Sequence, residues 1–490
     1  MSAPADVDKN ADLPPARPPS LLDSFTAKAA NAIGGRWGRH AGVRSRGWWT
    51  PLRVLLAMTS FFLVLGYMQK SPCANGDWTG NKQYTHMCYS DVVPLYGDER
   101  LNIGAVPYRD TAIEYPALTG GFLWATAEIT RGVLALKADW VPVVVFGAVN
   151  ALLLALCGLL ITAATAQTSR RRPYDAAIFA LSPLLVIHAF SNWDLLAMAF
   201  ASCALWAWSR DKPVAAGVMI GLGTAAKLYP VFLLIPLWIL ALRTRRYTET
   251  IWATIAAAAV WCTVNIPLAL AYHDGWWEFY QFSKDRTTER STFWAIFKTF
   301  SEGTNNPQDA AVWVPPGLAV ALAVIAGLLI VVWLGLNAPV KPRLGQLAFP
   351  IVLAFVMTTK VWSPQYSLWL VPLLALARPR WRLNLVWQFT EIVVWFATLT
   401  LLLGLGQNQM QHGIGYGWLI GILLVRDALL LAIAAMIVRE MWHPELDVVR
   451  TDGTDDPGGG CFDRAKDFYS HSARPLTNLS PSGLGPRNPH

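Results

Sequence analysis

The chain returns again and again to apolar runs about as long as a bilayer is thick. A membrane-crossing helix needs about 20 mostly apolar residues. Such runs occupy 51–68, 141–165, 174–190, 250–272, 315–337, 385–406 and 416–437, with further ones at 195–209, 214–242 and 347–377. At 54% hydrophobic residues, with 24 Trp in 490 and a mean hydropathy of +0.35, these runs cannot all hide in one soluble core. The runs 214–242 and 347–377 are each interrupted near the middle by a polar, proline-containing cluster. These clusters are Lys227-Leu228-Tyr229-Pro230 and Lys360-Val361-Trp362-Ser363-Pro364-Gln365-Tyr366. Counting each interrupted run as a pair predicts an all-α polytopic membrane protein of about 12 transmembrane helices.

The positive-inside rule sets the expected orientation. Arg170-Arg171-Arg172, Arg243 with Arg245 and Arg246, Lys341 with Arg343, and Arg378 with Arg380 and Arg382 sit in short connections and are expected at the cytoplasm, joined by the basic N-terminal tail. If 117–136 crossed the membrane, the Arg170 cluster would fall outside. It is therefore expected as a surface helix, with Glu128 and Arg131 toward water. The expected organisation is a disordered cytoplasmic tail at 1–47, a transmembrane domain at 48–440 and a second disordered cytoplasmic tail at 441–490. Outer loops are expected at 69–140, with juxtamembrane helices, and at 273–312. The extreme N-terminus lacks the apolar core of a cleavable signal, so the first span is expected to act as an uncleaved anchor.

The formal net charge of +8 fits a protein bordering anionic lipid and carries no nucleic-acid signal. Cys157, Cys203 and Cys262 fall within spans, while Cys73 and Cys88 share the first outer loop. In an oxidising compartment those two can bridge or stay as free thiols, and spacing does not choose between the readings.

Chemistry is expected at the outer edge of the bilayer, where ionisable residues gather despite their cost near lipid. Asp91, Asp110, Glu114 and Asp194 are candidate bases, and Lys227, Lys284, Arg286, Arg290 and Lys360 are candidate phosphate ligands. A base beside a phosphate clamp is the equipment for sugar transfer from a lipid phosphate.

A set of motifs in order carries a resemblance. Asp91 after the first span, Pro107-Tyr108-Arg109-Asp110, Glu114-Tyr115-Pro116, Asn192-Trp193-Asp194, Lys227-Leu228-Tyr229-Pro230 and the Lys360 to Trp369 stretch resemble the bacterial polyprenyl-phosphate-mannose-dependent alpha-mannosyltransferases, integral enzymes of GT-C fold. The likeness runs from about 50 to 440. It implies inverting transfer of a mannosyl residue from a polyprenyl-phosphate donor to a glycolipid or lipoglycan acceptor, on the outer side of the cytoplasmic membrane. Asp91 matches the family's catalytic base and Lys227 its phosphate-binding lysine. Lys360, Arg286 and Arg290 are further donor-phosphate candidates. Tyr108, Arg109, Asp110, Glu114, Tyr115, Asn192, Asp194, Tyr229, Gln365 and Tyr366 are the substrate-binding candidates.

Each residue has a structural alternative. Asp91 can cap a loop helix, Glu114-Tyr115-Pro116 can be a corner, and Asn192 with Asp194 can serve a tight turn. Lys227 can snorkel, Lys360 with Gln365-Tyr366 can belong to an aromatic belt at a broken helix, and the basic loop 284–290 can be a solvated face. His273 and His412 read as interfacial polar residues. No metal-ligand spacing stands out, although Asp91 with Asp110 and Glu114 leaves a divalent cation open. The run Gly217 to Gly223 lacks the strand and lysine of a nucleotide loop and reads as close helix packing. Two other functions stay open. One is the same fold using a polyprenyl-phosphate arabinofuranose donor. The other is a transporter or flippase of lipid-linked glycan, which would place charges near the midplane in repeated broken helices.

Overall fold

The computed structural model describes residues 23–29, 32, 48–302, 313–406, 413–450 and 453–469. Most of the 1–47 tail, part of the second outer loop, His412 and residues 470–490 lie outside them. Among the described residues the architecture is helical, with a single isolated bridge between Pro107 and Thr111. Helix α1 (Pro51–Lys70) leads into a long polar region holding α2 (Val92–Asp98) and α3 (Ala117–Leu136). There follow α4 (Pro142–Thr168), α5 (Pro183–His188), α6 (Asp194–Ser209), α7 (Pro213–Ala226), α8 (Leu234–Thr244) and α9 (Thr248–Ala271). The chain continues through α10 (His273–Asp285), α11 (Phe293–Glu302), α12 (Gly317–Asn337), α13 (Leu344–Thr358), α14 (Ser367–Ala377), α15 (Trp381–Gly406) and α16 (Tyr416–Trp442).

Six of these, α1, α4, α9, α12, α15 and α16, are long and apolar enough to cross a membrane. Five shorter apolar helices accompany them. At 1.5 Å rise per residue, a helix of 14–16 residues reaches only about 21–24 Å, short of the roughly 30 Å hydrocarbon layer. These helices are enclosed by the others: Leu368, Leu370, Val371 and Ala377 of α14 are fully buried. Both interrupted runs break at their polar clusters. A 3-10 turn at Tyr229–Leu233 separates α7 from α8, and another at Pro364–Tyr366 precedes α14.

The run 174–190, expected as one helix, is instead three short helical pieces, at Pro173–Ala176, Ala177–Ala180 and Pro183–His188. Pro183 is the cause. It opens α5, its ring holds Ser182 extended (φ −66°, ψ 122°), and the Ser182 hydroxyl accepts the Leu184 N–H at 3.2 Å.

The helices have two chemically distinct ends. At one end the basic connections meet the C-terminal segment. Arg343 pairs with the fully buried Asp447 at 2.6 Å, Lys341 with Asp455 at 2.8 Å, Arg243 with Asp467 at 2.6 Å and Arg378 with Glu440 at 3.0 Å. Residues 443–450 and 453–469, expected as unstructured tail, therefore pack against the bundle. Their composition is polar because their partners are arginines: low hydropathy marks a segment without a core of its own, not one without buried partners. Phe462, fully buried against Trp208, adds an apolar plug. At the other end lie the starts of α4, α6 and α14 and the ends of α1, α7 and α13. The path of α6 shows the separation: it starts at Asp194 and finishes at Ser209, whose carbonyl accepts from Arg170.

Helix α3 begins and ends on the Asp194 side. Thr119 donates to the carbonyl of Ala226 at the end of α7 (2.7 Å), and α3 runs out five residues before α4 starts. Arg131 pairs with Glu128 on its outer face.

Helices α7 and α9 touch along glycines. A Cβ on Gly217 would stand 2.1 Å from the carbonyl oxygen of Ala253, and one on Gly221 would stand 2.5 Å from that of Ala257. This is the close approach that small residues permit in membrane bundles. Gly217→Ala should therefore push the helices apart and cost about 1–3 kcal/mol, read as a lower unfolding temperature of the detergent-solubilised protein. Gly147→Ala, with open space around its Cβ, should leave that temperature unchanged or raised.

Candidate active site

The polar region between α1 and α3 is mounted on the bundle rather than hanging from it. Cys73 and Cys88 form a disulfide, so the bridged reading of that pair is the one the structure adopts. Ser90 Oγ donates to the carbonyl of Phe190 at 2.7 Å, and the Asp91 N–H donates to that of Ser191 at 2.8 Å. Asp91 is thereby set beside the turn that opens α6. It stands at the N-cap position of α2, yet its side chain makes no capping bond. Its carboxylate is used elsewhere: Oδ1 accepts Tyr89 Oη at 2.7 Å and Oδ2 accepts Asn192 Nδ2 at 2.7 Å. Burial pushes the Asp91 carboxyl above its ordinary value, against the opposing pull of those two donors and of Lys227.

Asn192 binds on both sides of itself, since the same Nδ2 also donates to Tyr115 Oη at 3.0 Å. Two residues on, the buried Asp194 accepts Trp369 Nε1 at 2.7 Å and pairs with Lys227 Nζ at 3.0 Å. Asp194 Oδ2 has no hydrogen-bond partner among the described residues. Lys227 sits where α7 stops, in extended backbone. Its ammonium lies 4.9 Å from the centre of the Tyr366 ring and 5.7 Å from that of Trp369. Trp369 is itself stacked between Tyr229 (4.4 Å) and Tyr366 (4.0 Å). The two helix breaks thus supply a cation and the aromatic floor beneath it.

Glu114 is half-buried, and among the described residues its carboxylate has no hydrogen-bond or ion-pair partner. It lies in the electrostatic field of Arg286, Asp91 and Lys227, and burial raises its pKa. Arg286 pairs with Glu289 at 3.3 Å and faces Tyr366, Glu114 and Tyr115. Asp91, Glu114, Tyr115, Asn192, Asp194, Lys227, Tyr229, Tyr366 and Arg286 therefore share one region.

Other expected site residues stand apart or act as supports. Arg109 and Asp110 form an exposed ion pair with each other (2.9 Å), and Asp110 also accepts the Val106 N–H. The cation set Asp91, Asp110 and Glu114 is consequently not assembled, and among the described residues no three His, Cys, Asp or Glu side chains gather as metal ligands. Tyr108 is buried, with its hydroxyl donating to the carbonyls of Tyr115 (3.0 Å) and Pro116 (2.8 Å), which holds the corner that presents Glu114. Lys360 straps the basic loop in place, its Nζ donating to the carbonyl of Lys284 at 2.6 Å while its own carbonyl accepts the Glu289 N–H. Arg290 interacts with Tyr416 of α16, whose hydroxyl donates to the Arg290 carbonyl at 2.9 Å. Gln365 is buried without a side-chain hydrogen bond among the described residues.

Tyr89, Trp369 and Glu289 lie inside stretches the sequence singles out without naming them as site residues, and Lys70 was not singled out at all. Trp369 closes the Lys360 motif, and Tyr89 stands two residues before Asp91, so both were adjacent to recognised signals. Lys70, at the end of α1, looks in sequence like any lysine at a membrane border.

An apolar cleft of about 350 Å³ opens beside the cluster. It is lined by Leu228, Val231, Trp261, Phe279, Tyr280 and Pro116, so it adjoins Lys227 through Leu228 and the Glu114 corner through Pro116.

The sequence model of glycosyltransferase family 87 matches residues 132–364, somewhat less than half of the chain. The matched stretch includes Asn192, Asp194, Lys227, Tyr229, Arg286, Arg290 and Lys360 and leaves Asp91 and Glu114 outside. No curated protein sequence matches. Taken with the helices able to cross a membrane, the match indicates glycosyl transfer by a membrane glycosyltransferase.

The Asp194–Lys227 pair lends itself to a thermodynamic test. Removing one member of a fully enclosed pair costs about 3–5 kcal/mol. Because the Lys227 side chain keeps 17% exposure, Asp194→Asn should cost less than that while still lowering the unfolding temperature measurably. Asp194→Asn combined with Lys227→Met should recover part of the loss, giving a favourable coupling energy in a double-mutant cycle.

Proposed function

We propose that the chain transfers a mannosyl residue, with inversion, from a polyprenyl phosphate to a glycolipid or lipoglycan acceptor on the outer side of the cytoplasmic membrane. The observation that carries this reading is the single cluster of a buried carboxylate (Asp91), a cation (Lys227) and an adjoining apolar cleft. A lipid-phosphate sugar presents these three needs together: a base for the acceptor, a counter-charge for the phosphate and a dry channel for the chain.

In this mechanism Asp91 takes the proton from an acceptor hydroxyl as its oxygen attacks the anomeric carbon. The bond from that carbon to the phosphate oxygen breaks on the opposite face, so a beta-linked donor yields an alpha glycoside and free polyprenyl phosphate. Lys227 has three N–H donors, of which Asp194 engages one, leaving the others for the phosphate. Arg286 stands near enough to share the charge that grows there. Glu114, without a partner among the described residues, is suited to accept a sugar hydroxyl. The prenyl chain lies in the cleft past Leu228 and Trp261. The side of the membrane rests on two supports. A disulfide belongs to an oxidising compartment, and the basic connections lie at the opposite end of the helices.

Membranes from cells with and without the gene, given radiolabelled polyprenyl-phosphate mannose and candidate glycolipid acceptors, should show transfer only with the gene. Absence of gene-dependent transfer with donor present would sink the mannosyl reading. Asp91→Asn should lower turnover by at least the roughly 10²–10⁴ typical of a general base. The same variant should keep or gain thermal stability near neutral pH. With its folded pKa raised by burial, ionised Asp91 loses stability as pH climbs from the unfolded value through the folded one. For the same reason turnover of the unaltered protein should fall on acidification through a pKa above the ordinary aspartate value, measured as the acid limb of kcat against pH.

A further inference from the structure

Every residue from Cys88 to Asp91 is fastened, two of them to the end of α1 and the residues just after it and two to the turn before α6. Cys88 is tied by its disulfide to Cys73, three residues beyond α1. The carbonyl of Tyr89 accepts Lys70 Nζ at 2.7 Å. Ser90 and Asp91 are held to the carbonyls of Phe190 and Ser191. These four fastenings in succession fix the direction in which the side chains of 89 and 91 leave the backbone.

The Tyr89 ring is seated equally firmly. It stacks on Tyr84 (6.4 Å between centres, 10° between planes), leans on Trp78 (5.7 Å) and meets Trp395 of α15 edge-on (6.5 Å). Lys70, 7% exposed, lies 5.0 Å over the same Trp395 ring while it holds the Tyr89 carbonyl. The ammonium also lies in the field of Asp91. From this seat the Tyr89 hydroxyl donates to Asp91 Oδ1. We propose that Tyr89, fixed from behind by Lys70, is the positioning residue that aims Asp91 at the acceptor and holds it as a carboxylate. The proposal rests on the reading of Asp91 as the base.

The geometry separates two jobs. Asn192 holds Oδ2 and couples Asp91 to the substrate side through Tyr115. Tyr89 holds Oδ1 from the opposite side. Each oxygen keeps a second lone-pair direction, so the acceptor proton has a place to go without displacing either donor. Burial and the nearby Asp91 charge keep the Tyr89 hydroxyl protonated, so it remains a donor throughout turnover. The charged and titratable groups facing Asp91 are Lys70 from α1, Glu114 and Tyr115 from the corner, Asp194 from the start of α6 and Lys227 from the end of α7. Of these, Lys70 is the one that also holds the Tyr89 carbonyl, and Tyr84 and Glu289 act on the Tyr89 hydroxyl itself.

The test is the pH–rate profile of Tyr89→Phe, which keeps the ring and its packing and removes the hydroxyl alone. Losing a donor to the charged form should move the acid limb up by about one pH unit. Loss of aim should lower the plateau kcat about 10-fold, with KM for the lipid-phosphate donor unchanged. Tyr84→Phe, which removes from the neighbouring ring a hydroxyl with no hydrogen bond among the described residues, should leave the profile where it was. Lys70→Met should shift the limb in the same direction as Tyr89→Phe. Thermal unfolding of each variant separates folding losses from these effects. If Asp91→Asn is inactive while the Tyr89→Phe profile superimposes on that of the parent, the positioning role falls and the base survives. If Asp91→Asn stays active, the base falls and the positioning role with it.

Discussion

A charge enclosed by apolar helices must meet an opposite charge or a full set of hydrogen bonds, and the layout of this protein follows from that requirement. The pair of Asp194 and Lys227, 3.0 Å apart, expresses it most directly. Lys227 stands where α7 gives way to a 3-10 turn, and Asp194 stands where α6 begins. Pairing them brings two helix ends together, and Trp369 locks the arrangement by donating to the same carboxylate oxygen. The aromatic stack of Tyr229, Trp369 and Tyr366 is referred to this point, and Asn192, which holds Asp91, stands two residues from it in the chain.

The opposite end obeys the same requirement with different residues. There the arginines that mark the basic connections are themselves buried: Arg243 and Arg343 are almost without exposure. Their partners come from the C-terminal segment, through Asp447 and Asp467. At the Asp194 end, among the described residues, the Glu114 carboxylate makes no hydrogen bond or ion pair and Lys227 forms an ion pair with Asp194 alone.

The features of the sequence that survived folding are those with local causes. The breaks at Lys227 and at Ser363-Pro364 were legible because several polar residues gather there beside a proline, whereas a lone proline such as Pro350 or Pro372 leaves its helix unbroken. The reading of Gly217 to Gly223 as close packing was also legible, since small residues in an apolar run have few other uses. The run 174–190 was misjudged because hydropathy registers apolar character and not the helix break at Pro183. The C-terminal segment was misjudged because its acidic residues pair with arginines more than a hundred positions away. Within the site, Arg109 and Asp110 looked equivalent to Glu114 in sequence, yet they neutralise each other at the surface while Glu114 turns inward.

The sequence by itself determined an all-helical, multi-spanning chain, the two breaks at its polar clusters and a short set of ionisable residues worth attention. Apolar length, proline stereochemistry and the cost of burying charge are properties of neighbouring residues, so they can be read along the chain. Only the tertiary structure decided which of those residues meet. Asn192 reaches Asp91 across 101 positions, and Trp369 reaches Asp194 across 175. It also decided that Tyr89, and not Arg109 or Asp110, stands beside the Asp91 carboxylate. Such choices depend on which helix ends pack side by side, and that is set by the shape and charge of the whole bundle.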